Sequence, residues 1–79
     1  MIYSADYSIE SKTATTVGRV VVLTDFLPDP STWFSRNQLD KSKIELGFRG
    51  TVTFSLVSTS NVGSKWTYIF ELTNLETII

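Results

Sequence analysis

Between Lys43 and Thr73 the chain reads KIELGFRGTVTFSLVSTSNVGSKWTYIFELT, and its apolar residues recur at every second position. Ile44, Leu46 and Phe48 form one set, Val52, Phe54 and Leu56 a second, and Trp66, Tyr68, Phe70 and Leu72 a third. A period of two is that of a strand with one buried face. The stretch therefore predicts a three-stranded antiparallel meander over residues 43–73.

Directly opposed residues of an antiparallel pair point to the same face, so the apolar sets must meet one another. A two-residue turn at Arg49-Gly50 sets Leu46 opposite Thr53 and fails this test. A three-residue loop of Phe48, Arg49 and Gly50 pairs Leu46 with Val52 and Ile44 with Phe54. It also places Gly50 where a left-handed backbone is needed. For the second hairpin, a five-residue loop from Thr59 to Gly63 pairs Leu56 with Trp66, Phe54 with Tyr68 and Val52 with Phe70. The inner face of the meander then holds Ile44, Leu46, Val52, Phe54, Tyr68 and Phe70.

Two more strands precede it. Ile2 to Glu10 alternates, with Tyr3, Ala5, Tyr7 and Ile9 on one face. SKTATT at 11–16 reads as a loop. Val17 to Phe26 contains the unbroken run Val20, Val21, Val22 and Leu23, the pattern of a strand covered on both faces. Pairing Ile9 with Val17 brings Tyr7 beside Arg19, Ala5 beside Val21 and Tyr3 beside Leu23. Val20, Val22 and Phe26 are then left on the other face.

Asp29-Pro30 is a helix start, a capping side chain followed by a residue preset for the first turn. The helix extends to about Leu39 and carries Trp33 and Phe34. The chain closes on the apolar pair Ile78-Ile79. The expected fold is one domain over residues 1–79, mainly β with one short helix in the order ββ-α-βββ. It would form a small curved antiparallel sheet or an SH3- or OB-like barrel, with an α+β grasp-type sheet as the alternative.

Composition narrows the functions. There is no cysteine and no histidine, so disulfides, Cys/His zinc sites and the commonest base and thiol nucleophile are excluded. The eight carboxylates form no pair motif, and phosphate-loop, dinucleotide, zincin and calcium-loop patterns do not occur. No catalytic, metal or cofactor residue is expected, and the reading is non-enzymatic. No apolar stretch is long enough for a membrane-spanning helix, and the N-terminus lacks the pattern of a signal peptide, which makes the cytoplasm the default location.

Two binding readings stand. In the first, Val20, Val22, Phe26, Trp33, Phe34, Ile78 and Ile79 exceed what a small core requires and form a contact surface for another protein or for a second copy, as in a homodimer. The competing account is that the helix and tail close the core over them. A self-assembling subunit, an inhibitor or an adaptor would fit, and the short chain with a weakly charged, hydroxyl-rich surface would suit a phage or mobile-element accessory protein. In the second reading, the chain is a small barrel that binds single-stranded nucleic acid. Tyr7, Arg19, Arg36, Arg49 and Lys65 would carry it, with Tyr3, Trp33 and Trp66 as further stacking rings. Seven basic residues against eight acidic ones weigh against that footprint.

Overall fold

The computed structural model describes residues 1–12 and 15–77. Six strands and two short helices follow in the order β1 (Ile2–Lys12), β2 (Thr15–Thr24), α1 (Pro30–Asn37), α2 (Leu39–Leu46), β3 (Phe48–Arg49), β4 (Thr53–Val62), β5 (Lys65–Thr73) and β6 (Glu76–Thr77). The protein is mainly β. Its body is one antiparallel sheet in the order β1-β2-β5-β4, beside a two-stranded ladder of β3 and β6. Among the described residues the sheet stays open, with β1 and β4 as its two edges, and does not close into a barrel.

The helix start is where the sequence places it. Asp29 caps α1, accepting from the Thr32 amide at 3.3 Å and the Thr32 hydroxyl at 2.7 Å, and Pro30 opens the first turn. Helix then continues further than expected. After a break at Gln38, α2 takes in Lys43–Leu46, the segment assigned above to the first strand of the meander. Gly47 ends it in the left-handed region at φ 82°, its amide donating to the Ile44 and Lys43 carbonyls. Alternation at Ile44 and Leu46 is thus not a strand signal. On a helix the two residues diverge, and Leu46 is buried while Ile44 is 69% exposed. Phe48 and Arg49 pair instead with Thr77 and Glu76.

The first hairpin differs by one residue. Ile9 faces Gly18, Tyr7 faces Val20 and Ala5 faces Val22. A one-residue slip exchanges the faces of a strand. Val20 and Val22 therefore point into the core, and Arg19, Val21 and Leu23 point away from it. Ser11, Lys12, Thr15 and Thr16 belong to the strands, not to a loop.

In the second hairpin, Val62 pairs with Lys65 across a two-residue turn of Gly63 and Ser64, with Gly63 at φ 61°. This turn alone would put the apolar sets on opposite faces. A bulge between Leu56 and Ser58 restores the parity, so that Leu56 faces Phe70 and Phe54 faces Leu72. The expected pairs of Leu56 with Trp66 and Phe54 with Tyr68 are displaced by four positions, on the correct face.

One face of the sheet meets the helices. Val20, Val22, Tyr68, Phe70 and Leu72 from the sheet pack with Phe34, Leu46, Phe48 and Val52. Phe34 stacks on Phe70 with centroids 4.2 Å apart and rings 14° from parallel, and lies 5.1 Å from Phe54. Tyr68 is buried, and its hydroxyl accepts from the Leu27 amide at 3.0 Å, which satisfies the phenol and anchors the segment entering α1. At Gly18 a Cβ would lie 2.8 Å from Leu46 Cδ1, so the missing side chain leaves room for Leu46 to pack against β2.

Candidate functional site

Three surfaces remain outside this core, and they differ in chemistry. The first is the end of the sheet where the chain begins. The Tyr3 hydroxyl donates to Asp25 Oδ1 at 2.7 Å, and the terminal ammonium donates to Asp25 Oδ2 at 3.3 Å. The hydrogen bond from Tyr3, reinforced by the ammonium group, holds the Asp25 carboxyl below the usual range; the same hydrogen bond, with lesser desolvation and charge effects, raises the Tyr3 phenol. Lys65 Nζ lies 5.0 Å from the Tyr3 ring centroid. Phe26 meets Trp66 edge-on at 5.2 Å.

The second is the outer face of the sheet. Val21, Leu23, Thr67 and Ile69 are half-buried there, with Val21 beside Ile69 and Leu23 beside Thr67. Arg19 crosses three strands on this face, 2.9 Å from Glu71 and 3.3 Å from Glu10. The hydrogen bond to Glu71, then the charge of Glu10, raise the guanidinium further above its ordinary value.

The third is the β4 edge. From Thr51 to Ser64 the chain contains no Asp, Glu, Lys, Arg or Pro. Within β4, Phe54 and Leu56 are half-buried under the helix layer, but every residue from Val57 to Val62 is exposed. Val62, beside the turn, is 85% exposed. β4 pairs with β5 on one side, and among the described residues nothing pairs with it on the other. A long strand with an open row of amides and carbonyls, and without charge or proline to discourage pairing, is a template for another strand.

The expected contact surface is not assembled as proposed from the sequence. Val20, Val22 and Phe34 are fully buried, because the register of the first hairpin turns both valines towards α1. They are core, not surface. Trp33 is half-buried against the same core, Phe26 is 60% exposed on the aromatic end, and Ile78 and Ile79 lie outside the described residues. The nucleic-acid set is also dispersed. Tyr7 lies on the helix face, its hydroxyl 3.4 Å from Gln38 Oε1, whereas Arg19 lies on the opposite face against two carboxylates. Arg36 is on α1, Arg49 on β3 and Lys65 at the start of β5.

Sequence reasoning missed the outer half of β4, although the uncharged run from Thr51 to Ser64 was legible. A cleft of about 350 Å³ is lined by Thr16, Val17, Thr73, Asn74 and Leu75, with no ionisable side chain. Among the described residues no three His, Cys, Asp or Glu side chains converge as a metal site would require. No protein-family model, curated protein or solved structure matches this chain.

Proposed function

We propose that this protein is a small non-enzymatic binding module that acts through protein–protein contacts, by adding a partner's strand to the β4 edge. The observation that supports this reading is the uncharged, exposed run Val57–Val62 on an unpaired edge. Strand addition draws affinity from main-chain hydrogen bonds and needs no preformed pocket. The roles of subunit, inhibitor or adaptor, including accessory roles in a phage or mobile element, are all served by such an edge.

A photo-crosslinking residue at Thr59 tests it against the same residue at Ser8 in β1. Protein adducts are expected from Thr59 and not from Ser8, and they should vanish when Ser58 and Ser60 are both changed to Lys. Equal adducts at the two positions, or none at Thr59, would overturn the reading.

The single-stranded nucleic-acid reading keeps one observation in its favour, the Lys65 ammonium over the exposed Tyr3 ring. Against it stands the placement of Arg19 between Glu10 and Glu71.

A further inference from the structure

Strand addition at β4 leaves the identity of the added strand to be decided, and this inference rests on that reading. We infer that the added strand is β4 of a second copy of this chain. The two strands would run antiparallel about a two-fold axis at Ser60 and join two four-stranded sheets into one of eight.

Antiparallel pairing of identical strands is compatible with a two-fold axis, and such an interface closes after two copies. Symmetry also sets each side chain opposite a defined mate, so the charges of a strand decide which positions of the axis it tolerates. For β1, an axis at Ser8 sets Asp6 opposite Glu10 of the other copy, carboxylate against carboxylate. For β4, an axis at Ser60 sets Ser60 opposite Ser60, Thr59 opposite Asn61 and Ser58 opposite Val62. No pair carries charge. Like-charge repulsion thus opposes self-pairing of β1 about Ser8, whereas the β4 run carries no charge in any register.

The position of the axis follows from the bulge. The ladder is displaced between Leu56 and Ser58 and turns back at Gly63. Ser58–Val62 is the straight run between those limits, and Ser60 is its midpoint. All five residues are exposed, so neither copy's helix layer covers them. A foreign peptide is less well served. Sequence-selective strand addition needs pockets for alternate side chains, and this run presents hydroxyls, one amide and Val62. Symmetry can supply a register that these side chains do not.

A ladder of five residues buries far less than the roughly 1,600 Å² of a standard interface, so the dimer forms at micromolar concentration or above. Sedimentation equilibrium of the intact chain should show the mass doubling between about 5 µM and about 1 mM. The chain has no cysteine, so a single introduced thiol reports only its own symmetric pair. Facing residues of an antiparallel pair have Cα atoms about 4.5–5.5 Å apart, within disulfide reach. Ser60→Cys should therefore cross-link on mild oxidation at least about fivefold faster than Ser58→Cys, and Ser8→Cys should not cross-link.

A monomer mass throughout that range, or equal cross-linking at Ser8→Cys and Ser60→Cys, overturns the second copy as partner. In that event, Thr59 adducts with a protein of different mass would leave the strand-addition reading intact. Absence of both dimer and adducts would remove the two together.

Discussion

The two edges of the sheet, β1 and β4, are of similar length and both end a row of antiparallel pairs, yet the chain treats them differently. β1 carries Asp6 and Glu10, has α2 packed beside it with Tyr7 reaching Gln38 at the break before that helix, and is tied at its start to Asp25. β4 carries no charge, and the helix layer reaches it through Phe34 on Phe54 but leaves everything beyond the bulge bare. An edge strand can be protected by charge, by a covering element or by a bulge. β1 has the first two, and the outer half of β4 has only the bulge that precedes it. The difference teaches that exposure alone does not mark an interaction edge; absence of the usual protection does.

The comparison can be broken most forcefully through the core that supports β4. Phe34→Ala removes the ring between Phe70 and Phe54 and should cost about 3–5 kcal/mol, read from urea denaturation. Hydrogen exchange should show the inner half of β4 losing protection before β1 does. Equal loss along both edges would mean that Phe34 does not divide them. On the other side, Gly18→Ala drives a methyl into Leu46 Cδ1 and should cost about 1–3 kcal/mol. Its effect should centre on α2 and β1. A variant as stable as the parent would show that the Leu46 side chain can turn aside without cost.

A smaller effect belongs to the start of β1. Asp25 has a depressed carboxyl in the folded state, so its contribution is present above the ordinary carboxylate pKa and is lost as pH falls through the folded value. Asp29, held down by hydrogen bonds from Thr32, acts in the same direction. The Tyr3 phenol is raised, so its contribution is present below its ordinary pKa and is lost as pH rises through the folded value. Stability should be flat from about pH 5 to about pH 9 and decline outside it. Asp25→Asn should blunt the alkaline decline as well as part of the acid one, because Asp25 is the cause of the Tyr3 shift. Melting temperature across pH 2–11 checks this. If Asp25→Asn leaves the alkaline limb unchanged, the phenol is not coupled to Asp25.

The smallest stability effect sharpens the comparison. Ser60→Lys and Ser8→Lys are both exposed changes and should each alter stability by less than about 0.5 kcal/mol. Ser60→Lys should nevertheless abolish concentration-dependent mass, and Ser8→Lys should not. Equal behaviour of the two would erase the distinction between the edges. Fluorescence anisotropy with short single-stranded oligonucleotides should show no appreciable binding at physiological salt. Micromolar binding that falls steeply with added salt would restore the nucleic-acid reading.

Much of this molecule follows from local chemistry. Asp29-Pro30 specifies a helix start, Gly50 and Gly63 take left-handed backbone as turns require, and Thr53–Leu56 and Trp66–Leu72 alternate because one face is core. The helix stop at Gly47 was equally legible, with Lys43 in the last turn before it, but two positions of alternation at Ile44 and Leu46 pointed the other way. Four residues are too few for periodicity to separate helix from strand. Of the candidate site, the uncharged stretch could be read from the chain, but not that it would form an edge.

Tertiary structure decided the rest, through pairings that span long separations. The run Val20–Leu23 is apolar on both faces, so side-chain pattern cannot say which face the helices cover. Pairing of Val20 with Phe70 and Val22 with Tyr68, far along the chain, settles it. The bulge at Val57 exists because a two-residue turn and a common apolar face demand opposite parities, a conflict visible only once both ends of the hairpin are held. Sequence determines which residues can be buried and where the chain can turn, because those are properties of a few adjacent residues. Register and edge are decided in the folded sheet, because a one-residue slip costs nothing locally and exchanges every side chain between core and solvent.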